Sequence, residues 1–159
     1  MRYVRPLLLA AALIGTATPA LADATAFIGT TSTPANRPAK GFALGIGLLV
    51  VGFEFEYAST SEELLDAAPA LRTGMGNVLL QTPFPILGLQ PYFTTGAGAY
   101  REQLGAAQET HVGLNTGGGV KISLLGPLRA RVDYRVFTLR GEPIHKTVHR
   151  VYGGLNLKF

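Results

Sequence analysis

Residues 127–140 read PLRARVDYRVFTLR and alternate between apolar and charged side chains. In the middle of the segment every second position is charged: Arg129, Arg131, Asp133 and Arg135. Because successive side chains of a β-strand point to opposite faces, this pattern predicts a strand with one apolar and one densely charged face. A soluble sheet would turn the charged face to water, whereas a membrane barrel turns it to a polar interior. The segment fits both, so the rest of the chain must decide.

The remaining sequence is rich in apolar residues but lacks a second helix-sized apolar run. Hydrophobic residues make up 47% of the chain and charged residues only 15%. Beyond residue 22, however, no apolar run approaches the roughly 20 residues that a membrane-spanning helix requires. This combination is typical of a transmembrane β-barrel. The chain contains no Cys, so disulfide bonds and thiol chemistry are excluded.

The N-terminal segment MRYVRPLLLAAALIGTATPALA has the organisation of a secretory signal peptide. Arg2 and Arg5 form a basic n-region, an apolar run follows, and residues 20–22 supply an Ala-Leu-Ala cleavage site. A permanent membrane anchor is disfavoured because the apolar run is short and no basic stop-transfer flank follows. We therefore predict a signal peptide at residues 1–22 and one exported barrel domain at residues 23–159.

Past the signal peptide, the sequence predicts eight strands bounded by Gly, Pro and polar residues. They span about residues 24–31, 41–47, 50–58, 71–81, 89–102, 111–124, 127–140 and 147–159. The one helical signal lies at residues 61–66, where Thr60 is a plausible N-cap and Glu63 completes a capping box. We predict one or two turns of helix there.

The connections between these strands fall into two sets. The first set is polar or Pro-rich: residues 32–40, 59–70, 103–110 and 141–146. The second set is mostly short: residues 48–49, 82–88 and 125–126. Long external loops and short periplasmic turns are the pattern of bacterial outer-membrane barrels. Two connections fit this pattern poorly, because residues 48–49 lack a turn residue and residues 82–88 are unusually apolar.

If the apolar faces contact lipid, charges of both signs meet in the barrel interior. The predicted lumen charge network consists of Glu54, Glu56, Lys121, Arg129, Arg131, Asp133, Arg135 and Arg150. With the faces reversed, each Arg or Lys would cost about 2–4 kcal/mol at the lipid midplane. The interior of an eight-stranded barrel is just wide enough for side chains to fill it. A plugged lumen is therefore favoured, and an anion-preferring channel stays as the alternative.

A soluble carrier barrel remains a second alternative, with Phe53, Phe55 and Tyr134 around a ligand cavity. The chain has no Trp and no Gly-x-Trp motif near the first strand, so a similarity to lipocalins fails. Charges alternate along strands instead of forming a basic patch, so no nucleic-acid partner is predicted.

Three segments of the second half resemble the small outer-membrane β-barrel family, the OmpA/OmpX-like porin family: PYFTTGAGAYRE, HVGLNTGGGVKISLLGPLRARVDYRVFTL and HRVYGGLNLKF. The matching positions are Pro91, Tyr92, Gly117, Gly118, Gly119, Asp133, Tyr134, Arg135 and Phe159. The resemblance implies an all-β fold, an eight-stranded antiparallel transmembrane up-and-down β-barrel in the bacterial outer membrane, surrounded by its lipid and commonly without a wide open pore.

The C-terminal sequence VYGGLNLKF is similar to the β-signal that the barrel assembly machinery reads in outer-membrane proteins. The resemblance assigns this assembly signal to Tyr152, Gly154, Leu157 and Phe159.

The histidines are the only candidates for catalysis, since lipid A deacylase barrels use a His, a Ser and an acidic residue near the outer rim. None of the three histidines is followed two residues later by Ser, and the nearest match is His145 with Thr147 and Glu142. His145 and His149 have the spacing of a helical metal site but straddle a loop and a strand start. We therefore predict no enzyme, no metal and no cofactor. The predicted role is structural or adhesive, or weak passive permeation, and a lipid-modifying enzyme is the alternative. The sequence does not indicate an oligomeric state.

Overall fold

The computed structural model describes residues 21–159, and these residues form one closed barrel of eight strands. The strands are β1 (Leu21–Thr31), β2 (Arg37–Leu48), β3 (Val51–Thr60), β4 (Ala70–Gln81), β5 (Leu89–Leu104), β6 (Ala107–Leu125), β7 (Leu128–Leu139) and β8 (Thr147–Lys158). Each strand pairs antiparallel with the next, and β8 pairs with β1, so the sheet has no edge. The predicted eight-stranded antiparallel up-and-down barrel is confirmed.

Burial alternates along each strand and defines an inner and an outer face. In β3 the inner face carries Glu54 and Glu56, and the outer face carries Phe53 and Phe55. In β7 the same alternation buries the charged residues and exposes Tyr134. A soluble carrier would need the opposite arrangement, with these aromatic side chains inside. The apolar outer face is instead that of a barrel surrounded by lipid.

The two ends of the barrel differ. At the terminal end, residues 21 and 159 lie beside the connections at 49–50, 82–88 and 126–127. At the loop end lie the connections at 32–36, 61–69, 105–106 and 140–146. The connection at 49–50 turns without Gly or Asn because Leu49 itself adopts a φ of 54°. The apolar residues 82–88 connect β4 to β5, as predicted. Within this connection the chain makes a tight turn, closed by a β-bridge between Ile86 and Leu89.

The helix predicted at residues 61–66 does not form. Glu63 and Ala68 make a β-bridge instead, with both N–H to O distances at 2.9 Å, and the chain turns between them. Six residues are too few to offset the cost of helix nucleation without packing support. No helix in residues 21–159 is long and apolar enough to cross a membrane.

The loop predicted at residues 103–110 is also wrong, because β5 and β6 continue to Leu104 and Ala107. Only Gly105 and Ala106 remain as a turn, with Gly105 at a φ of 57°. The end of this hairpin has polar residues on both faces of the sheet. Its two strands pair with each other although they lack the alternation of apolar residues from which the other strands were predicted.

Residues 1–20 of the predicted signal peptide lie outside the described residues. Leu21 and Ala22, the last two residues of that predicted segment, pair with Gly47 and Ile46 at the start of β1. The carbonyl oxygen of Ala22 also accepts a hydrogen bond from the backbone N–H of Phe159, at 2.9 Å. The position of cleavage stays a prediction.

Candidate functional site: the charged lumen and the loop end

The centre of the lumen is an ion-pair network around Arg131 and Arg135. The Arg131 guanidinium donates to Glu54 and lies 2.7 Å from Asp133 Oδ2. The Nη2 atom of Arg135 lies 3.0 Å from Glu54 Oε1, 3.2 Å from Asp133 Oδ1 and 3.3 Å from Glu56 Oε2. Glu54 and Asp133 therefore contact both cations, whereas Glu56 contacts Arg135 and not Arg131. All five side chains are at most 1% exposed.

Two tyrosine hydroxyls donate further hydrogen bonds to two of these carboxylates. The Tyr92 hydroxyl donates to Asp133 and accepts from Arg131 Nε at 2.6 Å. The Tyr152 hydroxyl donates to Glu56 Oε2 at 2.7 Å, and its ring stacks on Phe27 at a centroid distance of 4.1 Å. Paired charges with this many hydrogen bonds are sustained in a low-dielectric interior, whereas isolated ones are not.

Arg150 joins the network from the loop-end side. Its Nη1 lies 3.5 Å from Glu56 Oε1 and 3.2 Å from Thr73 Oγ1, and its guanidinium lies 4.5 Å from the centroid of the Phe137 ring. One nitrogen of this group, Nη2, is buried without a hydrogen-bond partner. Arg150 is thus held by fewer contacts than Arg131.

A second charged layer lies nearer the terminal end. Asp23 accepts from Lys121 Nζ at 2.6 Å and from Arg129 Nη2 at 3.1 Å. Arg129 also donates to Asn156 Oδ1 at 2.8 Å and to Gln90 Oε1 at 3.1 Å. Asp23, which directly follows the predicted cleavage site, was not predicted as a lumen residue from the sequence. The signal that identifies it is the alternation of Asp23 and Thr25 with small apolar residues.

The structure thus buries all eight residues of the predicted lumen charge network inside the barrel. Six of them form the central network: Glu54, Glu56, Arg131, Asp133, Arg135 and Arg150. The other two, Lys121 and Arg129, form the second layer with Asp23.

An apolar cluster fills the lumen toward the loop end. It consists of Leu71, Met75, Tyr100, Phe137, Leu139 and Val148. This cluster was not predicted from the sequence because a barrel interior is expected to be polar. The alternation of side chains along β7 nevertheless predicts part of this cluster. Phe137 and Leu139 lie an even number of residues after Arg131 and Arg135, so they face the lumen as well.

Three charged side chains tie the loop-end connections together. Arg37 donates to the carbonyl oxygens of Thr33 (2.6 Å) and Pro69. Glu62 Oε1 accepts from the backbone N–H of Gly105 at 2.5 Å, and Glu102 Oε2 accepts from that of Ile144 at 3.1 Å. The connections at 32–36, 61–69 and 105–106 are therefore linked to one another, and the connection at 140–146 is bonded to β5; together they form the braced loop surface.

The histidines do not assemble with a Ser or Thr nucleophile. His149 Nδ1 lies 2.7 Å from the Tyr134 hydroxyl on the outer face, and His111 Nε2 lies 3.5 Å from Glu109 Oε2. His145 lies in the connection before β8. In the described part of the chain, no group of three His, Cys, Asp or Glu side chains is placed to hold a metal ion.

The residues of the predicted assembly signal divide between the two faces of β8. Tyr152 is buried in the lumen, and Gly154 shares its inward parity. Leu157 and Phe159 are exposed on the outside.

No protein-family model matches the chain, and neither does any curated protein. Solved structures do match. Neisserial surface protein A (NspA) has a TM-score of 0.70 and 16% identity, covering 89% of this chain and 98% of that chain. Ail, the attachment invasion locus protein of Yersinia pestis, has a TM-score of 0.55 and 13% identity, covering 88% and 98%. The outer membrane enzyme PagL has a TM-score of 0.52 and 11% identity, covering 85% and 98%.

These likenesses define the fold class: the chain has the fold of the small outer-membrane β-barrels. The resemblance to OmpA/OmpX-like barrels is therefore confirmed at the level of the fold. Because both surface proteins and an enzyme share this fold, the fold alone does not determine the function of this chain.

Proposed function

We propose that this protein is a closed outer-membrane barrel with a structural or adhesive role, whose loop end faces the cell exterior. The observation that carries the proposal is the filled lumen. The ion-pair network around Arg131 occupies the middle of the barrel, and the apolar cluster occupies the space toward the loop end. A barrel filled in this way does not support the weak-permeation role. Its interior contacts instead make the barrel a rigid scaffold for the loops.

The membrane location is supported by the outer face. Large apolar side chains are exposed on neighbouring strands, among them Phe42, Phe55, Val132 and Leu155. In water such a continuous apolar surface would drive association, whereas in a bilayer it contacts lipid. The predicted signal peptide at residues 1–22 supports export, and the predicted assembly signal in β8 supports insertion by the barrel assembly machinery.

The braced loop surface supports the adhesive role. Loops on a rigid barrel are suited to binding, and here Arg37, Glu62 and Glu102 hold them in place. Two leucines project from this surface, Leu64 and Leu65, and Leu65 is 95% exposed. We assign these two leucines as the residues through which the loop end contacts another macromolecule or surface. The name of Ail, which records attachment, is consistent with such a role for this fold.

The adhesive role is tested by attachment of cells that carry the protein to an apolar surface and to cultured epithelial cells. We expect the Leu64→Ser/Leu65→Ser variant to attach less than the wild type. The matched control is Leu87→Ser, because Leu87 is 97% exposed but lies at the terminal end. Barrel content of the outer membrane is compared in each strain. Equal attachment by all three proteins would reject adhesion and leave the structural role.

A further inference from the structure

A row of cations crosses the outer face near the loop end. Residue pairing places Lys40 opposite Ser59, Ser59 opposite Arg72, and Arg72 directly opposite Arg101. All three cations are exposed and alternate with buried residues, so they lie on the outer face. This basic row consists of Lys40, Arg72 and Arg101. Neighbouring strands are about 4.8 Å apart, so these long side chains can converge on one anion.

The basic row lacks an acidic partner. Within residues 21–159, none of its members forms a salt bridge, and Arg101 makes only a 3.4 Å hydrogen bond from Nε to Thr110 Oγ1. Two like charges directly opposite each other destabilise a β-sheet. An anion from outside the chain would therefore relieve the repulsion between Arg72 and Arg101.

An apolar groove begins at one end of the basic row. It has a volume of about 690 Å³ and is lined by Ile28, Phe42, Tyr57 and Leu155, with Lys40 at its edge. Its floor includes Gly153, where an added Cβ would meet nothing closer than the Arg131 carbonyl oxygen at 3.8 Å. The groove is therefore open because side chains are missing there, and it suits an acyl chain.

We propose that the basic row and this groove together bind a lipid of the surrounding leaflet whose phosphate-bearing head group has a net negative charge. The phosphate contacts Lys40, Arg72 and Arg101, and an acyl chain lies along the groove over Gly153. This inference rests on the membrane location in the proposed function. A lipid fits better than a free anion because the groove and the basic row are continuous on a face that already contacts lipid. Cations near a membrane surface attract anionic head groups in this way.

The test uses the full-length exported protein, purified in dodecyl maltoside and still resistant to SDS. The probes are dihexanoyl phosphatidic acid, dihexanoyl phosphatidylcholine and inorganic phosphate, and binding is read as the shift in the midpoint of thermal unfolding. We expect phosphatidic acid to raise the midpoint most. In the Lys40→Gln/Arg72→Gln/Arg101→Gln variant, its affinity should fall about tenfold or more. The Arg140→Gln/Lys146→Gln variant is the matched control, since both cations are exposed loop-end residues outside the row.

The Gly153→Leu variant separates the two parts of the site. It should weaken binding of phosphatidic acid and leave binding of inorganic phosphate unchanged. Equal binding of phosphatidic acid and phosphatidylcholine, or unchanged binding in the triple variant, would overturn the proposal. Phosphate binding as tight as lipid binding, with no effect of Gly153→Leu, would reduce the site to a free-anion site and overturn its lipid specificity. Because SDS resistance is scored separately, a negative binding result does not bear on the barrel itself.

Discussion

Single buried charges in this barrel depend on having several partners at once. Arg131 contacts Glu54, Asp133 and Tyr92, so its removal would leave Arg135 as the one cation in contact with both carboxylates and a net negative charge in the central network. We expect Arg131→Met to lower the free energy of unfolding by about 3–5 kcal/mol. Urea titration of the protein refolded into vesicles measures this.

Two further variants sharpen that test. Arg140→Met removes an exposed loop cation and should change stability little. Arg131→Met/Glu54→Met removes both members of one pair and should recover part of the loss, since the remaining charge imbalance is smaller. An Arg131→Met protein as stable as the wild type would contradict the structural role of the network.

Neighbouring glycines in β8 provide a second test at this scale. An added Cβ at Gly154 would lie 2.3 Å from the Ala26 carbonyl oxygen and 2.8 Å from Phe27 Cβ, whereas one at Gly153 would make only an ordinary contact, 3.8 Å from the Arg131 carbonyl oxygen. We expect Gly154→Ala to destabilise the barrel by about 1–3 kcal/mol, as overpacking does. Gly153→Ala should be nearly neutral. Equal stability of the two variants would show that the closeness of β1 and β8 is not what requires glycine at residue 154.

The orientation of single side chains was predictable from sequence, but their partners were not. Parity along β7 places Arg131 and Arg135 on one face, and the structure puts both in the lumen. That Arg131 meets Glu54, a residue 77 positions away, depends on the stagger of the closed barrel. No local pattern encodes that stagger, so pairing between distant strands could only be stated as a network.

At the scale of elements, β8 combines closure of the barrel with the predicted assembly signal. Phe159 is 69% exposed, and only its backbone N–H, bonded to Ala22, joins the sheet. We expect Phe159→Ala to reduce the amount of barrel inserted in cells, because the proposed assembly signal ends in this aromatic side chain. Refolding of the purified chain into vesicles should be unchanged. Quantitative blots of outer-membrane fractions and refolding yields measure the two effects.

The matched control for that variant is Leu44→Ala, which shortens another exposed apolar residue but lies in β2. If Phe159→Ala and Leu44→Ala insert to the same extent as the wild type, the assembly-signal assignment is wrong.

Sequence patterns located the elements where one face meets lipid and failed where neither face does. All eight strands were predicted because lipid contact imposes an apolar period of two. The β5–β6 hairpin near Gly105 extends past the residues with that period, so its last pairs were predicted as a loop. The capping signal at residues 61–66 indicates only a local preference for helix. In the structure, the β-bridge between Glu63 and Ala68 forms there instead.

For the whole molecule, the filled lumen predicts the electrical behaviour of the barrel. The Arg131 network and the apolar cluster leave the interior occupied by side chains. We expect the purified protein to show no ion-conducting steps in planar bilayers at moderate voltage. A stable, anion-preferring conductance would contradict the plugged lumen and favour the channel alternative, in which Arg129 and Arg131 face a water-filled path.

The most direct test of the central claim, a closed barrel with its apolar face in lipid, is heat-modifiability in fractionated cells. Outer-membrane and periplasmic extracts are run on SDS gels with and without boiling. We expect the protein in the outer-membrane fraction, with a band that shifts on boiling because a closed sheet offers SDS no edge to unravel. An unshifted band in the soluble periplasmic fraction would contradict the account.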